Sequence, residues 1–110
     1  MKADPIKEHL AIKGEGNAGD LAWFEWILQR DAKITMLLWW GSHIIKLCVN
    51  NQDVYTRVPP SIKGEYPDGY EMPLHFDVLP KGSRIWLQVM VHDAEALAAR
   101  LDYEWVPVLN

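Results

Sequence analysis

Two histidines and an aspartate, arranged as His75-x-Asp77 with His92 further on, are the residue types that ligate zinc or move protons. A zinc centre needs three or four ligands converging on one point. Strand alternation puts these three on one face of a ribbon, but His92 falls opposite Glu71, several residues along from Asp77. They read as solvated outer-face residues, and no metal is assigned to them. The sequence contains no G-x-S-x-G, G-x-G-x-x-G, P-loop or H-E-x-x-H pattern. Fifteen acidic residues make a carboxylate pair of the kind glycoside hydrolysis uses available by chance, so the acids carry no information. No catalytic residue is assigned, and the chain reads as a non-enzyme.

Six tryptophans are the unusual count. A tryptophan ring can fill a core or form a flat binding platform, and position decides which. Trp86 lies between Ile85 and Leu87. If those two face the core, alternation turns Trp86 outward beside Arg84 and Gln88. Asp77 is expected opposite it, with His75 on the same face. Trp39 is expected on a second, mixed face. A ring flanked by an acid and an amide can stack on a sugar and bond its hydroxyls. The ligand-binding candidates are therefore Trp86, Asp77, Gln88, His75, Arg84 and Trp39. The competing reading is that protein covers both rings. Trp26 and Trp40 are assigned to the core, and His43 is a strand-end residue beside a turn.

The elements that would position these residues are mostly strands. "HIIKLCVNNQDVYTRVP" (43–59) reads as strand, Asn50-Asn51 turn, strand. "ITMLLWWGSHIIKLCV" reads as a hairpin about Gly41-Ser42, with glycine where a type II′ turn wants it. Its pairing sets Trp40 against His43, Leu38 against Ile45, Met36 against Leu47 and Ile34 against Val49. "LHFDVLPKGSRIWLQVMV" reads as a further hairpin about Lys81-Gly82. Leu74, Phe76, Val78, Ile85, Leu87, Val89 and Val91 then form an apolar core face. Residues 13–20 and 59–73 read as loops. "DLAWFEWILQ" and "DAEALAARLD" fit either helix or strand. The second is rich in helix formers and has Asp93 as a candidate N-cap.

The bulk numbers set bounds. One domain spanning 1–110 is expected from 110 residues, and 49% hydrophobic with 24% charged is ordinary globular composition. The net charge is −4 and the basic residues are scattered, unlike a nucleic-acid binder. No apolar run approaches the ~20 residues of a membrane span. The single cysteine, Cys48, excludes an internal disulfide or a cysteine-based zinc cage, and a buried, inert thiol is expected. "MKADPIKEHL" lacks an apolar signal core. The chain therefore reads as intracellular or as a mature domain cut from a longer protein.

Taken as a series, "AWFEWILQRDAKITMLLWWGSHIIKLCVNNQDVYTRVP", "FDVLPKGSRIWLQVMV" and "ALAARLDY" resemble the galactose-binding-like β-sandwich modules attached to glycan-active enzymes. The match departs from the family pattern at Ser42-His43 and at Ser83. The resemblance implies an all-β, two-sheet jelly-roll sandwich and makes 95–103 a strand. Such modules often carry a structural calcium, whose ligands are not placed in this sequence. Several short strands with Gly and Pro turns independently favour a sandwich or a barrel. The function expected is a non-catalytic accessory module binding carbohydrate. The alternative is a structural component of an assembly, of virion type, binding protein through the same rings. A third reading, a small α/β enzyme, requires helices near 20–29 and 93–102. No cofactor is assigned; the partner is a glycan or a protein, and the oligomeric state is open.

Overall fold

The computed structural model describes residues 4–56 and 69–107. Eight strands run in chain order: β1 (Ile6–Lys13), β2 (Leu21–Ile27), β3 (Lys33–Trp40), β4 (Ser42–Val49), β5 (Gln52–Thr56), β6 (Gly69–Pro73), β7 (Arg84–Val91) and β8 (Ala98–Trp105). They form two four-stranded antiparallel sheets, ordered β1-β8-β3-β6 and β2-β7-β4-β5. This is an all-β sandwich with jelly-roll-like connectivity. Among the described residues there is no helix, and so none long and apolar enough to cross a membrane.

Neither ambiguous stretch is a helix, which removes the helices the α/β alternative needs. The first is β2. The second is a turn over 93–97 that leads into β8 at Ala98, later than the start at 95 that the resemblance implied. In β2 the burial alternates, with Ala22, Phe24 and Trp26 inward and Leu28 continuing the series beyond the strand. These three lie opposite Val89, Leu87 and Ile85 of β7. Pairing with a central apolar strand outweighs the weak helical preference of the segment. Asp93 does not cap a helix. Its Oδ1 accepts a hydrogen bond from the Glu95 N–H at 3.1 Å, closing a short turn before β8.

Two expected hairpins are not formed. β3 and β4 follow each other across Gly41 but belong to opposite sheets. Gly41 has φ 71°, so the left-handed backbone anticipated for a tight turn instead makes a corner between sheets. Its carbonyl accepts the N–H groups of His92 and Asp93 at 2.9 and 3.0 Å. A Cβ placed there would lie 2.5 Å from the Asp93 carbonyl oxygen. Gly41→Ala therefore combines left-handed strain with a backbone clash and should cost about 1–3 kcal/mol. Thermal unfolding of the variant checks this, and an unchanged midpoint would contradict the assigned corner.

The segment 74–80 likewise does not pair with β7. It runs beside the start of β3, with the Leu74 N–H donating to the Thr35 carbonyl (3.0 Å) and Leu79 bridged to Ala32. Leu74 is buried, but Phe76 only packs on the margin of the core and Val78 is 63% exposed. These two are corrections to the expected core. Of the loop expected over 59–73, residues 69–73 are β6, and the rest lies outside the described residues.

The third expected hairpin is present. β4 and β5 pair with Val49 opposite Gln52. Asn50 and Asn51 between them have φ 50° and 66°. Two left-handed residues in a two-residue loop define a type I′ turn, and asparagine tolerates that backbone.

The alternation in β3 and β4 is broken by irregularities between Ile34 and Met36 and between Ile44 and Lys46. Each inserts one residue and reverses which parity faces inward. Hence Ile34 and then Leu37 and Trp39 are inward in β3. Ser42 and Ile44 and then Leu47 and Val49 are inward in β4. Trp39 is fully buried and stacks on Tyr70 with ring centroids 5.7 Å apart. Its expected place on an accessible mixed face is corrected.

Candidate functional site

The outer face of the β2-β7-β4-β5 sheet carries the candidate site. β7 is a central strand with Ile85, Leu87, Val89 and Val91 sealed in the core. Its alternate residues Arg84, Trp86, Gln88 and Met90 consequently point outward. Trp86 is half-buried. Its neighbours across the strands are Glu25 of β2 and Cys48 of β4. Asp77 was expected in that place, but it lies exposed in the segment beside β3, as does His75. Arg84, Trp86 and Gln88 therefore share a face as expected. Asp77, His75 and the buried Trp39 are not brought to it.

Trp86 lines a cavity of about 310 Å³ together with Lys46, Cys48, Asn51, Asp53 and Arg84. Two ion pairs fix its charges. Lys46 Nζ lies 3.1 Å from Asp53 Oδ1, and Arg84 Nη2 lies 2.6 Å from Glu25 Oε2. Arg84 Nε donates to the same Glu25 oxygen at 2.8 Å. The Asn50 side chain ties the hairpin turn to the start of β7. Its Oδ1 accepts from the Arg84 N–H at 2.9 Å, and its Nδ2 donates to Ser83 Oγ at 3.3 Å. The ring thus sits on a rigid strand with its charged neighbours held in place, as a preorganised site requires.

Sequence reasoning missed Lys46, Asn51, Asp53 and Glu25 as members of this site. The signal for the first three was available. A two-residue turn at Asn50-Asn51 puts Gln52 against Val49 and Asp53 against Cys48. Trp23 was missed as well. It is 54% exposed on the same face, opposite Gln88 and thus diagonal to Trp86.

Cys48 lines the cavity and is half-buried, more open than expected. Its thiol donates to Asp53 Oδ1 at 3.1 Å. Burial, and then the bond to the Asp53 carboxylate, pushes the thiol pKa above its ordinary value. The same bond, followed by that from Lys46, holds the Asp53 carboxyl below its ordinary value. The thiolate is the nucleophile, so a raised pKa lowers the reactive fraction near neutrality. Native Cys48 should react with a maleimide at pH 7 about tenfold or more slowly than in the urea-unfolded chain. The rate should climb as pH rises. Equal native and unfolded rates would overturn the inert assignment.

A second cavity, of about 260 Å³, lies on the other sheet among Lys7, Glu8, His9, Thr35, Asp102, Tyr103 and Glu104. Its aromatic residue is largely buried, with the Tyr103 hydroxyl donating to Glu8 Oε2 at 2.5 Å. It offers charge and the imidazole of exposed His9, but no open tyrosine or tryptophan face. Among the described residues, no three His, Cys, Asp or Glu side chains converge as a metal cluster.

No protein-family model matches the chain, and neither a curated protein nor a solved structure matches it significantly.

Proposed function

We propose that this sandwich is a non-catalytic binding module that holds a carbohydrate on the outer face of its β2-β7-β4-β5 sheet, with Trp86 as the stacking platform. The observation that carries the reading is the placement of Trp86. A half-buried ring faces outward beside a cavity of about 310 Å³, among Lys46, Asn51, Asp53 and Arg84. A sugar ring has an apolar face of C–H groups and a rim of hydroxyls. The indole suits the first, and amide, carboxylate and cationic groups suit the second. The resemblance of the sequence to galactose-binding-like modules points the same way, and the jelly-roll-like strand order agrees with it.

A protein-binding role in an assembly is the second reading. What favours it is the apolar row around the site: Leu21, Trp23, Ile27 and Met90 are each more than 40% exposed on the same face. Rings and methionines on a broad sheet face are the residues from which protein interfaces draw their hot spots. A glycan array combined with sizing chromatography tests both readings. A monomer retaining one class of glycan supports the first. An oligomer blind to every glycan supports the second and refutes the first.

A further inference from the structure

At another position on the same sheet, His43 and His92 bring their rings together. His43 is the second residue of β4, opposite Met90 of β7, and His92 lies two residues beyond Met90. The two are thus diagonal neighbours across one strand pair, within side-chain reach. Their ring centroids are 4.6 Å apart with planes tilted by 41°. The backbone beneath them is fixed, because the His92 N–H donates to the Gly41 carbonyl at 2.9 Å. On its other side His43 meets the Tyr70 ring at 6.4 Å, and Tyr70 is itself stacked on buried Trp39. Both histidines are exposed. No ion pair with a carboxylate occupies either one among the described residues.

We infer that His43 and His92 form a two-histidine site for a divalent transition cation that favours tetragonal coordination, Ni²⁺ or Cu²⁺. With one nitrogen of each ring turned to a common metal, the ring separation sets the angle between the two bonds. With a metal–nitrogen bond of about 2.0–2.1 Å, each ring centroid sits roughly 3.2 Å from the metal. Centroids 4.6 Å apart then subtend about 90° at the metal, the angle between adjacent positions of a square or octahedron. A tetrahedral angle would need the centroids roughly 5.2 Å apart, so Zn²⁺ fits less well. Water fills the remaining positions, because no third protein ligand converges there among the described residues. A bound cation would clip the chain just after the Gly41 corner to the chain just after β7. This site is independent of the carbohydrate reading and uses none of the residues around Trp86.

The test is a calorimetric titration of the whole chain with Ni²⁺ and with Zn²⁺, run on the wild type, His43→Gln, His92→Gln and the double variant. Circular dichroism checks that each is folded. One Ni²⁺ should bind per chain, more tightly than Zn²⁺. Each single substitution should weaken it at least about tenfold, the loss that even an outer-shell change produces. The paramagnetic spectrum of the Cu²⁺ form should show two equivalent nitrogen ligands in the wild type and one in either single variant. The double variant keeps every other donor in the chain, so equal binding by it and the wild type would overturn the assignment. Absence of Ni²⁺ binding at millimolar metal, or a preference for Zn²⁺, would overturn it as well.

Discussion

Leu87→Ala should lower the free energy of unfolding by about 2–5 kcal/mol, the range for deleting a fully buried leucine side chain. Leu87 has no exposed surface and lies at the centre of β7. It is opposite Phe24 on one side and Leu47 on the other, both of them sealed. Those neighbours belong to paired strands and are held by the ladder, so the space left by the truncation cannot readily collapse. The cost therefore includes both the lost transfer energy and the cavity. Urea unfolding followed by fluorescence gives the value directly. A loss below about 0.5 kcal/mol is what surface positions show, and would mean that β7 faces the other way.

One position away, Trp86→Ala should do the opposite. Binding of the glycan selected on the array should be abolished, while the unfolding midpoint moves little. The ring is on the outer face, so its removal opens no void between the sheets. It should, however, remove the flat surface on which the ligand rests. Trp23→Ala is the companion variant. It lies diagonal to Trp86 and should weaken binding less, because it does not line the cavity. If Trp86→Ala unfolds the domain, the ring is structural, and the binding face must be sought elsewhere.

The facing of β7 was legible because the strand alternates without interruption, whereas the β2 segment fitted a helix as well as a strand. Arg84 and Gln88 could not both be buried unpaired, so Ile85 and Leu87 had to point inward. The same reasoning failed in β3 and β4. One inserted residue in each reverses the parity midway, and no glycine or proline marks the spot within the strand. Trp39 and Trp40 were exchanged for that reason. Sheet membership failed on a different ground. A glycine followed by serine between two apolar runs has the local chemistry of a tight hairpin, and Gly41 does adopt the left-handed backbone. Whether the next strand returns beside the last or crosses to the other sheet depends on what the 93–97 segment offers to pack against. That information lies about fifty residues downstream. Asp77 and His75 were placed beside Trp86 by the same assumption of neighbouring strands. The Asn50-Asn51 turn was legible because it is decided within four residues.

Among the described strand pairs, only β4 and β5 join consecutive strands through a short turn. The centre of the β1-β8-β3-β6 sheet is filled by β8, which lies between β1 and β3 and pairs Leu10 with Leu101 and Ile12 with Ala99. As the chain leaves the ribosome, β3 therefore emerges with Ile34, Leu37 and Trp39 long before the strand that will cover its edge exists. The short β4–β5 hairpin is the one unit able to form early. The first sheet must wait for residues 98–105, and loops of up to about ninety residues have to close at that moment. Such topology places the domain among the slow folders, in the millisecond-to-second range. A nascent chain paused short of β8 would display an apolar strand with an unpaired edge, the kind of surface that chaperones hold and that aggregation recruits.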